Sequence, residues 1–290
     1  MTFSKVLING EIINMEQATT SIFDRGYQFG DGVAELVPVY NGRCFGLLPH
    51  MEDFFSSVIA MKLPGIYTME ELVEFHEEVI RANNIVNGEI YTQLTRGEAS
   101  YGLDFPEMTV PKLAMQAVAA DRAELTEKQA TGVNIITETD NRWLRCDVNT
   151  LNKLPEVLAK QKARVARAYD ALFVRENGII TESTESNFFV VKDDLLWTHP
   201  ANNLIRNSVS RRLVKERLAV DLGLQVIEKA FNLDFVLKSE EAFLVGPRIE
   251  IIPVTKIDRQ FIEGGVGQIT RQLIDAYKAF IARECPPQTL

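Results

Sequence analysis

Residues 142–154 read RWLRCDVNTLNKL. This stretch combines two arginines, an aspartate, two asparagines and a lysine with tryptophan, leucine and valine. So much hydrogen-bonding capacity beside so much apolar surface is typical of a packed polar junction or of the wall of a ligand pocket. A helix is predicted to follow over about residues 152–168, where Pro155 is tolerated in the first turn.

Length, charge and composition narrow the class of protein. The chain has 290 residues and a mass of 32.7 kDa, which favours two domains over one. Its formal net charge of −9 argues against a nucleic-acid partner, which requires a basic face. No apolar stretch is long enough to span a bilayer, and the first residues lack the pattern of a secretion signal. Three dispersed cysteines indicate a reducing compartment, and the histidines have no metal-like spacing, so we expect a cytoplasmic protein without a metal site.

The order of helix and strand signals predicts an α+β fold in two domains. Asn9-Gly10 and Asn41-Gly42 are turn pairs between apolar runs and predict two β-hairpins. Residues 119–132 (AADRAELTEKQATG) lose apolar periodicity and predict a linker over 121–130. The predicted domains are therefore an N-terminal α+β domain, residues 1–120, and a strand-rich C-terminal α+β domain, residues 131–290.

Three helices have clear start or stop signals. Thr68-x-x-Glu71 is a capping box. A long helix is predicted near residues 208–222, ending at Gly223, and a last helix over about residues 266–284.

The segment 205–213 (IRNSVSRRL) predicts an anion site at a helix start. Asn207 or Ser208 can cap the helix, which leaves the amides of Val209 and Ser210 directed outward. Free amides and the positive end of the helix dipole favour a phosphate or a carboxylate. The alternative is an ordinary capped helix with solvated arginines, which the sequence alone favours because capped helices are common.

Two further polar segments have a functional and a structural interpretation. Residues 181–189 (TESTESNFF) hold Glu182 and Glu185, which point to opposite faces of an extended chain and so are not a paired acid and base. Residues 23–32 (FDRGYQFGDG) lack the spacing of a nucleotide-binding loop. A structural pairing of arginine with aspartate is the simplest interpretation of that segment.

Taken together, seven motifs in one order resemble a known family. They are DRGYQFGDGV, VYNG, TRG, RWLRCD, VLAKQ, TES…SN and THPANN. This combination is similar to the fold-type-IV pyridoxal-phosphate enzymes, and within them to the D-amino-acid aminotransferases, over nearly the whole chain. The resemblance implies the two-domain α+β fold of the D-amino-acid and branched-chain aminotransferases and pyridoxal 5'-phosphate at the interface of the domains. It also implies a homodimer whose subunits both help to build each site.

The residue most important to the chemistry of this family is replaced. In the family pattern, a lysine that follows RCD and one apolar residue forms an imine with the cofactor and moves the proton. That position is Asn149 in this chain. An amide forms no imine and is no base at neutral pH.

Other positions of the family pattern also differ. The phosphate-binding arginine, three residues after His50, is Asp53, and a carboxylate repels a phosphate. A phosphate-binding threonine is replaced by Pro247, which has neither a hydroxyl nor an amide hydrogen. The positions of the substrate-carboxylate residues, the pocket tyrosine and a small residue beneath the ring are Tyr101, Leu103, Ala34 and Glu185.

Part of the cofactor-binding pattern is retained. The resemblance implies that Glu182 pairs with the pyridine nitrogen and that the amides of Val209 and Ser210 hold the phosphate. Asn187 belongs to the TES…SN motif, and Arg206 and Arg248 bring new positive charge near the phosphate position. The candidate cofactor-binding residues are Glu182, Asn187, Val209, Ser210 and Arg248.

These residues leave three hypotheses. The protein has lost transamination and binds a different small anionic or amino-acid-like ligand through Ser210, Arg206 and Arg248. Alternatively, it is an active enzyme whose candidate catalytic lysine is Lys153, although a shift of four residues from Asn149 exceeds the tolerance of reaction geometry. The third hypothesis is non-covalent binding of pyridoxal phosphate with slow transamination. The first hypothesis accounts for several replacements together.

Overall fold

A computed structural model describes residues 3–65 and 67–287, which divide into two compact units. The first unit comprises Met1–Ala120, Val148–Asn152 and Ile281–Leu290, and the second comprises Asp121–Asp147 and Lys153–Phe280. The chain therefore returns to the first unit twice, at Val148–Asn152 and at Ile281–Leu290. The contiguous domains 1–120 and 131–290 remain a prediction from the sequence.

The first unit contains a six-stranded antiparallel sheet in the order β2-β1-β6-β5-β3-β4. Its strands are β1 (Lys5–Ile8), β2 (Glu11–Asn14), β3 (Gly32–Tyr40), β4 (Arg43–Cys44), β5 (Gly88–Thr95) and β6 (Lys112–Val118). Its helices are α1 (Arg25–Phe29), α2 (Leu47–Ala60) and α3 (Met69–Asn83). Apolar side chains of α2, α3 and the sheet form one core, which includes Leu7, Met51, Phe54, Leu72 and Ile90.

Local signals in the first unit are confirmed. The pairs Asn9-Gly10 and Asn41-Gly42 have positive φ at both residues and join β1 to β2 and β3 to β4, as two-residue hairpin turns require. Thr68 and Glu71 form the predicted capping box at the start of α3.

The Arg–Asp pairing expected in residues 23–32 is also present. Asp31 accepts hydrogen bonds from Arg25 Nε at 2.8 Å and from Arg96 Nε at 2.7 Å, and all three side chains are buried. Burial acts to raise the pKa of Asp31, but the two guanidinium groups outweigh it and hold the pKa below its usual value. Arg25, Asp31 and Arg96 thus form a buried structural ion triad in the first unit, and we assign it no catalytic role.

Residues 148–152 belong to the first unit because they lie along β3. The amide of Ala34 donates to the carbonyl of Asn149 at 2.9 Å, and the amide of Leu151 donates to the carbonyl of Gly32 at 3.1 Å. A Cβ at residue 32 would come within 2.6 Å of the Leu94 carbonyl oxygen and 2.8 Å of Leu151 Cδ1. Glycine at residue 32 therefore permits this close approach.

The buried imidazole of His76 makes the stability of the protein depend on pH. Its Nδ1 donates to the Leu72 carbonyl at 2.7 Å, and the Thr92 hydroxyl donates to Nε2 at 3.1 Å. Burial lowers the pKa of His76 from 6.5 to about 4, with a smaller contribution from His50, against the opposing effects of the Leu72 hydrogen bond and of Glu35. The unfolded chain therefore binds this proton first, and stability falls as the pH drops from about 7 towards 4.

We expect His76 to remove about 2 kcal/mol of unfolding free energy between pH 7.5 and pH 5. Urea unfolding of the wild type and of His76→Gln at both pH values measures this contribution. The pH-dependent loss should be smaller by that amount in His76→Gln, whatever the stability of the variant at pH 7.5. Equal losses in the two proteins would contradict the assignment.

The second unit contains a nine-stranded mixed sheet in the order β12-β11-β10-β13-β14-β7-β8-β9, with β15 paired to β14. Its strands are β7 (Val133–Thr139), β8 (Asp170–Val174), β9 (Ile180–Ser183), β10 (Asn187–Lys192), β11 (Leu195–Thr198), β12 (Val226–Glu228), β13 (Glu241–Gly246), β14 (Glu250–Ile257) and β15 (Gln260–Phe261). Its helices are α4 (Arg122–Thr131), α5 (Leu154–Val165), α6 (Val209–Leu213), α7 (Ala219–Asp221), α8 (Leu233–Leu237) and α9 (Gln268–Glu284). The second unit is therefore richer in strands, as the sequence predicts.

The segment predicted as a linker, residues 121–130, lies almost entirely in helix α4. Asp121 caps this helix by accepting a hydrogen bond from the amide of Glu124 at 2.9 Å. Leu125 and Gln129 are buried, and Gln129 Nε2 donates to Glu250 at 3.2 Å. The helix is mostly polar because it buries only a narrow face, which explains the absence of apolar periodicity in the sequence.

The helix predicted near 208–222 is present as three continuous pieces. Helix α6 continues through a π-helical segment (Val214–Leu218) into α7. Ser208 is the residue that caps α6, since its side chain accepts a hydrogen bond from the amide of Arg211.

Candidate active site

Glu182, at the end of β9, is the centre of a buried polar cluster in the second unit. Its Oε1 accepts a hydrogen bond from Arg142 Nη1 at 2.7 Å. Its Oε2 accepts from Asn187 Nδ2 and from the backbone amide of Arg206, both at 3.1 Å. We call Glu182, Arg142, Asn187 and Arg206 the Glu182 cluster. It holds the carboxylate in one orientation with both oxygens hydrogen-bonded.

Arg142 orients Glu182 and is itself held from several sides. Its guanidinium donates to both oxygens of Asp140, at 2.9 and 3.0 Å, and lies over the ring of Phe173 at 4.3 Å. Burial acts to lower the pKa of Arg142, but Glu182 and Asp140 outweigh it, so the pKa is raised. Arg142 is therefore a permanent cation and a positioning residue.

The residues around the start of α6 contact the same cluster. Asn187 Nδ2 donates to the carbonyl of Arg206 at 2.6 Å, and Asn187 Oδ1 accepts from the hydroxyl of Ser208 at the same distance. The hydroxyl of Tyr277 donates to Ser210 Oγ at 3.1 Å. Val209 and Ser210 are both buried. Asn187 thus connects Glu182 to the start of α6.

Lys153 lies immediately before α5 and has an accessible side chain. Its carbonyl accepts from the amide of Val157 at 2.9 Å. Within residues 3–65 and 67–287, no hydrogen bond or ion pair engages its amine. Desolvation lowers the pKa of Lys153 and Arg206 adds to this effect, whereas Glu156 and Glu182 oppose it.

Arg248 pairs with Glu185 at the end of the strand hairpin β13–β14. It is in the turn between β13 and β14, and its Nη1 is 3.8 Å from Glu185 Oε1. Both side chains are substantially exposed, with exposed fractions of 40% and 58%. Such an ion pair contributes at most about 1 kcal/mol.

Asn149 lies in the first unit and is bound to β3 and α2. Its side-chain amide donates to the carbonyl of Ala34 and lies 3.5 Å from Glu35 Oε2. Its backbone amide donates to Ser57 Oγ at 3.3 Å. The other oxygen of Glu35 is 2.9 Å from His50 Nδ1. Asn149 is therefore a buried hydrogen-bonding residue whose amide is already engaged.

Four other positions in the first unit, at which the resemblance implies different residues, differ in exposure. Asp53 is half-buried on α2, and Ala34 is buried in β3. Tyr101 and Leu103 are highly exposed, in the loop before β6. Asp53 is a carboxylate, and Ala34, Tyr101 and Leu103 carry no positive charge. At these four positions the resemblance implies residues that bind anions or line the pocket.

Sequence reasoning missed three acidic residues that complete these sites. Asp140 holds Arg142, Glu35 faces Asn149, and Glu156 acts on Lys153. Glu156 lies in the first turn of α5, three residues after Lys153. Asp140 contacts Arg142 and Glu35 faces Asn149, and neither pair lies on one helix face. No rule of helical residue spacing therefore predicts these two pairs.

Comparison with known proteins identifies the family. Residues 32–257 match the family model described as amino-transferase class IV. The chain belongs to the class IV aminotransferases. Its fold is the α+β fold that these enzymes share, and the cofactor of the family is pyridoxal phosphate.

Curated relatives of this class IV aminotransferase are D-alanine aminotransferases. The enzyme of Staphylococcus epidermidis is 40% identical over 279 residues, covering 96% of this chain and 98% of that enzyme. The enzyme of Listeria monocytogenes is 39% identical over 287 residues, covering 97% of each.

Solved structures of branched-chain aminotransferases have the same fold. The Escherichia coli enzyme superposes with a TM-score of 0.88 at 23% identity, covering 99% of this chain and 96% of that chain. The enzyme of Thermobaculum terrenum, solved in its pyridoxal-phosphate form, has a TM-score of 0.85 at 24% identity, covering 97% and 95%.

The residues of this class IV aminotransferase do not fit covalent attachment of the cofactor at residue 149. Asn149 has no amine, and its amide nitrogen is committed to Ala34 and Glu35. We therefore derive no catalytic step through the cofactor.

Two further features were sought among the described residues: a metal site and a membrane-spanning helix. In residues 3–65 and 67–287, no three metal-ligating side chains are grouped as a metal ion would need. In the same residues, no helix has the length and apolar character to cross a membrane.

Proposed function

We propose that this class IV aminotransferase does not transaminate through residue 149 and instead binds a small anionic or amino-acid-like ligand. Relatives that are 39–40% identical to this chain are D-alanine aminotransferases, so a 2-oxo acid or an amino acid is the natural class of ligand. Glu182, Asn187, Ser210, Arg206 and Arg248 are the proposed binding residues. We also propose that the protein is a cytoplasmic homodimer.

The observation that carries this proposal is the state of Asn149. The side chain at that position is buried and its amide donates to the Ala34 carbonyl. A residue in this state supplies neither the nucleophile nor the base that transamination needs. Exposed apolar side chains in the first unit support the homodimer, among them Ile22, Phe23, Tyr27, Leu103 and Met108.

Turnover of D-alanine with 2-oxoglutarate in the presence of pyridoxal phosphate tests the proposal. Loss of the proton-transferring amine alone predicts a rate at least about 10²–10⁴-fold below that of a lysine-containing relative. The Staphylococcus epidermidis enzyme is the positive control. A rate within tenfold of that enzyme would refute the proposal.

Thermal unfolding with pyruvate, D-alanine and pyridoxal phosphate tests the ligand class. We expect an increase in melting temperature with the anionic ligands, because binding to the folded state alone stabilises it. Arg206→Met should reduce the increase with pyruvate. Sedimentation velocity on the same samples measures the mass of the assembly, which should be that of two chains.

A further inference from the structure

We infer that Tyr277 is a positioning residue, whose hydroxyl donates to Ser210 Oγ and so directs the hydroxyl proton of Ser210 to an anionic group of the ligand. This inference rests on the proposed function, in which Ser210 is a binding residue, and it deepens that function by naming the ligand atoms that Ser210 contacts. These atoms are the oxygens of a carboxylate or a phosphate. A 2-oxo acid and pyridoxal phosphate are two sources of this chemistry.

The hydrogen bond between Tyr277 and Ser210 is shielded from solvent. The Tyr277 hydroxyl donates to Ser210 Oγ at 3.1 Å, and the exposed fractions of the two residues are 1% and 2%. Burial raises the pKa of Tyr277 and Glu250 adds to this effect, against the opposing effects of the Ser210 hydrogen bond and of Arg122. The phenol therefore stays neutral at physiological pH and keeps the proton that it donates.

The hydroxyl of Ser210 has a proton that no described residue accepts. A serine hydroxyl carries one proton and two lone pairs, and Tyr277 occupies one of the lone pairs. Throughout residues 3–65 and 67–287, Ser210 Oγ donates to no acceptor. A buried donor without an acceptor lowers the stability of the folded state. A ligand oxygen that accepts this proton removes the cost, so Ser210 favours a ligand with an acceptor at this position.

Two backbone amides next to this hydroxyl favour the same kind of ligand. Ser208 Oγ accepts a hydrogen bond from the amide of Arg211 at 3.1 Å. In the described part of the chain, the amides of Val209 and Ser210 donate to no acceptor, as is expected in the first turn of a helix. Together with the hydroxyl, they supply three donors within two residues. Ionised carboxylate and phosphate oxygens accept hydrogen bonds and donate none, so they match this set of donors.

Tyr277 is held in position by the anchoring of helix α9. The buried Glu241, in β13, accepts hydrogen bonds from the amides of Ile269 at 3.0 Å and Thr270 at 2.7 Å, and from the hydroxyl of Thr270 at 2.5 Å. These bonds fix the start of α9 on the sheet of the second unit. The phenol is therefore directed at Ser210 before a ligand binds, and binding has little ordering of these side chains left to do.

Isothermal titration calorimetry of the wild type, Tyr277→Phe, Ser210→Ala and the double variant tests this inference. The ligands are pyruvate and pyridoxal phosphate, with methyl pyruvate and pyridoxal as probes that lack the ionised carboxylate and the phosphate. Tyr277→Phe keeps the aromatic ring, and we expect it to lower the affinity for pyruvate, pyridoxal phosphate or both by about 3–10-fold. Ser210→Ala should lower the affinity by about 10–100-fold, because a hydrogen bond to a charged group is stronger.

The double variant separates positioning from a structural effect. If Tyr277 acts through Ser210, Tyr277→Phe should change the affinity by less than about twofold in the Ser210→Ala background. A merely structural role would lower the free energy of unfolding in urea and leave the ligand affinity of the folded protein unchanged. Tyr40→Phe, which removes a buried phenol hydroxyl in the first unit, is the matched control and should bind as the wild type does.

The outcomes distinguish this inference from the proposed function. If Tyr277→Phe binds both ligands as tightly as the wild type, or weakens binding equally with and without the Ser210 hydroxyl, the inference is overturned and the proposed function stands. If the wild type binds none of the ligands, both fail. A loss with pyruvate that methyl pyruvate does not show identifies a carboxylate at Ser210, and a loss with pyridoxal phosphate that pyridoxal does not show identifies a phosphate.

Discussion

Arg142→Met is expected to lower the free energy of unfolding by about 3–5 kcal/mol, because it leaves the buried Glu182 carboxylate without its cation and leaves Asp140 with Arg175 alone, at 3.0 Å. Asp140 and Glu182 are 2.9 and 2.7 Å from the guanidinium, and both side chains are almost fully buried. Met replaces the volume of the side chain but supplies no hydrogen bond, and the stacking on Phe173 is lost. Urea unfolding at pH 7.5 measures the effect.

Arg145→Met is the matched control for this substitution. Arg145 lies in the same segment and pairs with Asp147, but the exposed fractions of the two side chains are 49% and 38%. An exposed pair contributes at most about 1 kcal/mol, so Arg145→Met should be close to neutral. Equal losses in the two variants would show that the Glu182 cluster does not depend on its cation.

The pH dependence of Arg142→Met gives a second measure. Burial already raises the pKa of Glu182, and loss of the Arg142 guanidinium raises it further in the folded state, so protonation of Glu182 relieves the cost as the pH falls. The difference in stability between the variant and the wild type should therefore shrink from pH 7 to pH 5. A purely steric defect would leave it constant.

Local backbone signals predicted much of the fold because they act within a few residues. The Asn9-Gly10 turn, the Thr68 capping box and the Ser208 cap depend on short-range geometry, which the sequence states directly. Helix α4 was missed because its stability comes from contact with β14 and not from an apolar stripe. Asp121 with Glu124 and the final Gly132 did carry cap signals that identify this helix.

The candidate residues came from the sequence, and their contacts came from the structure. Family motifs named Glu182, Asn187, Ser210 and Asn149 as candidates, and the structure gives the hydrogen-bond partners of each. The engagement of the Asn149 amide by β3 depends on the return of residues 148–152 to the first unit, a long-range event that no local pattern encodes. The exposed pairing of Arg248 with Glu185 depends equally on a turn between distant strands.

Asn149→Lys alone is expected to leave the affinity for pyridoxal phosphate within about tenfold of the wild type. The double variant Asp53→Arg/Asn149→Lys should bind pyridoxal phosphate at least about 100-fold more tightly than Asn149→Lys does. In the single variant, the new ammonium meets the buried Glu35 carboxylate, which keeps it protonated and unreactive. By the resemblance, the carboxylate of Asp53 still opposes the phosphate. The second substitution exchanges repulsion for a charge-assisted ion pair.

Fluorescence titration with pyridoxal phosphate, together with the visible absorbance of the imine, measures both variants, and Asp53→Asn/Asn149→Lys is the matched control. It removes the repulsion without adding a cation, so its affinity should fall between those of the other two. Tight binding with a strong imine band in Asn149→Lys alone would mean that residue 149 is the whole difference from an active relative. If the charge at residue 53 controls binding, the affinity for pyridoxal phosphate rises in steps, as that charge changes from negative to neutral to positive.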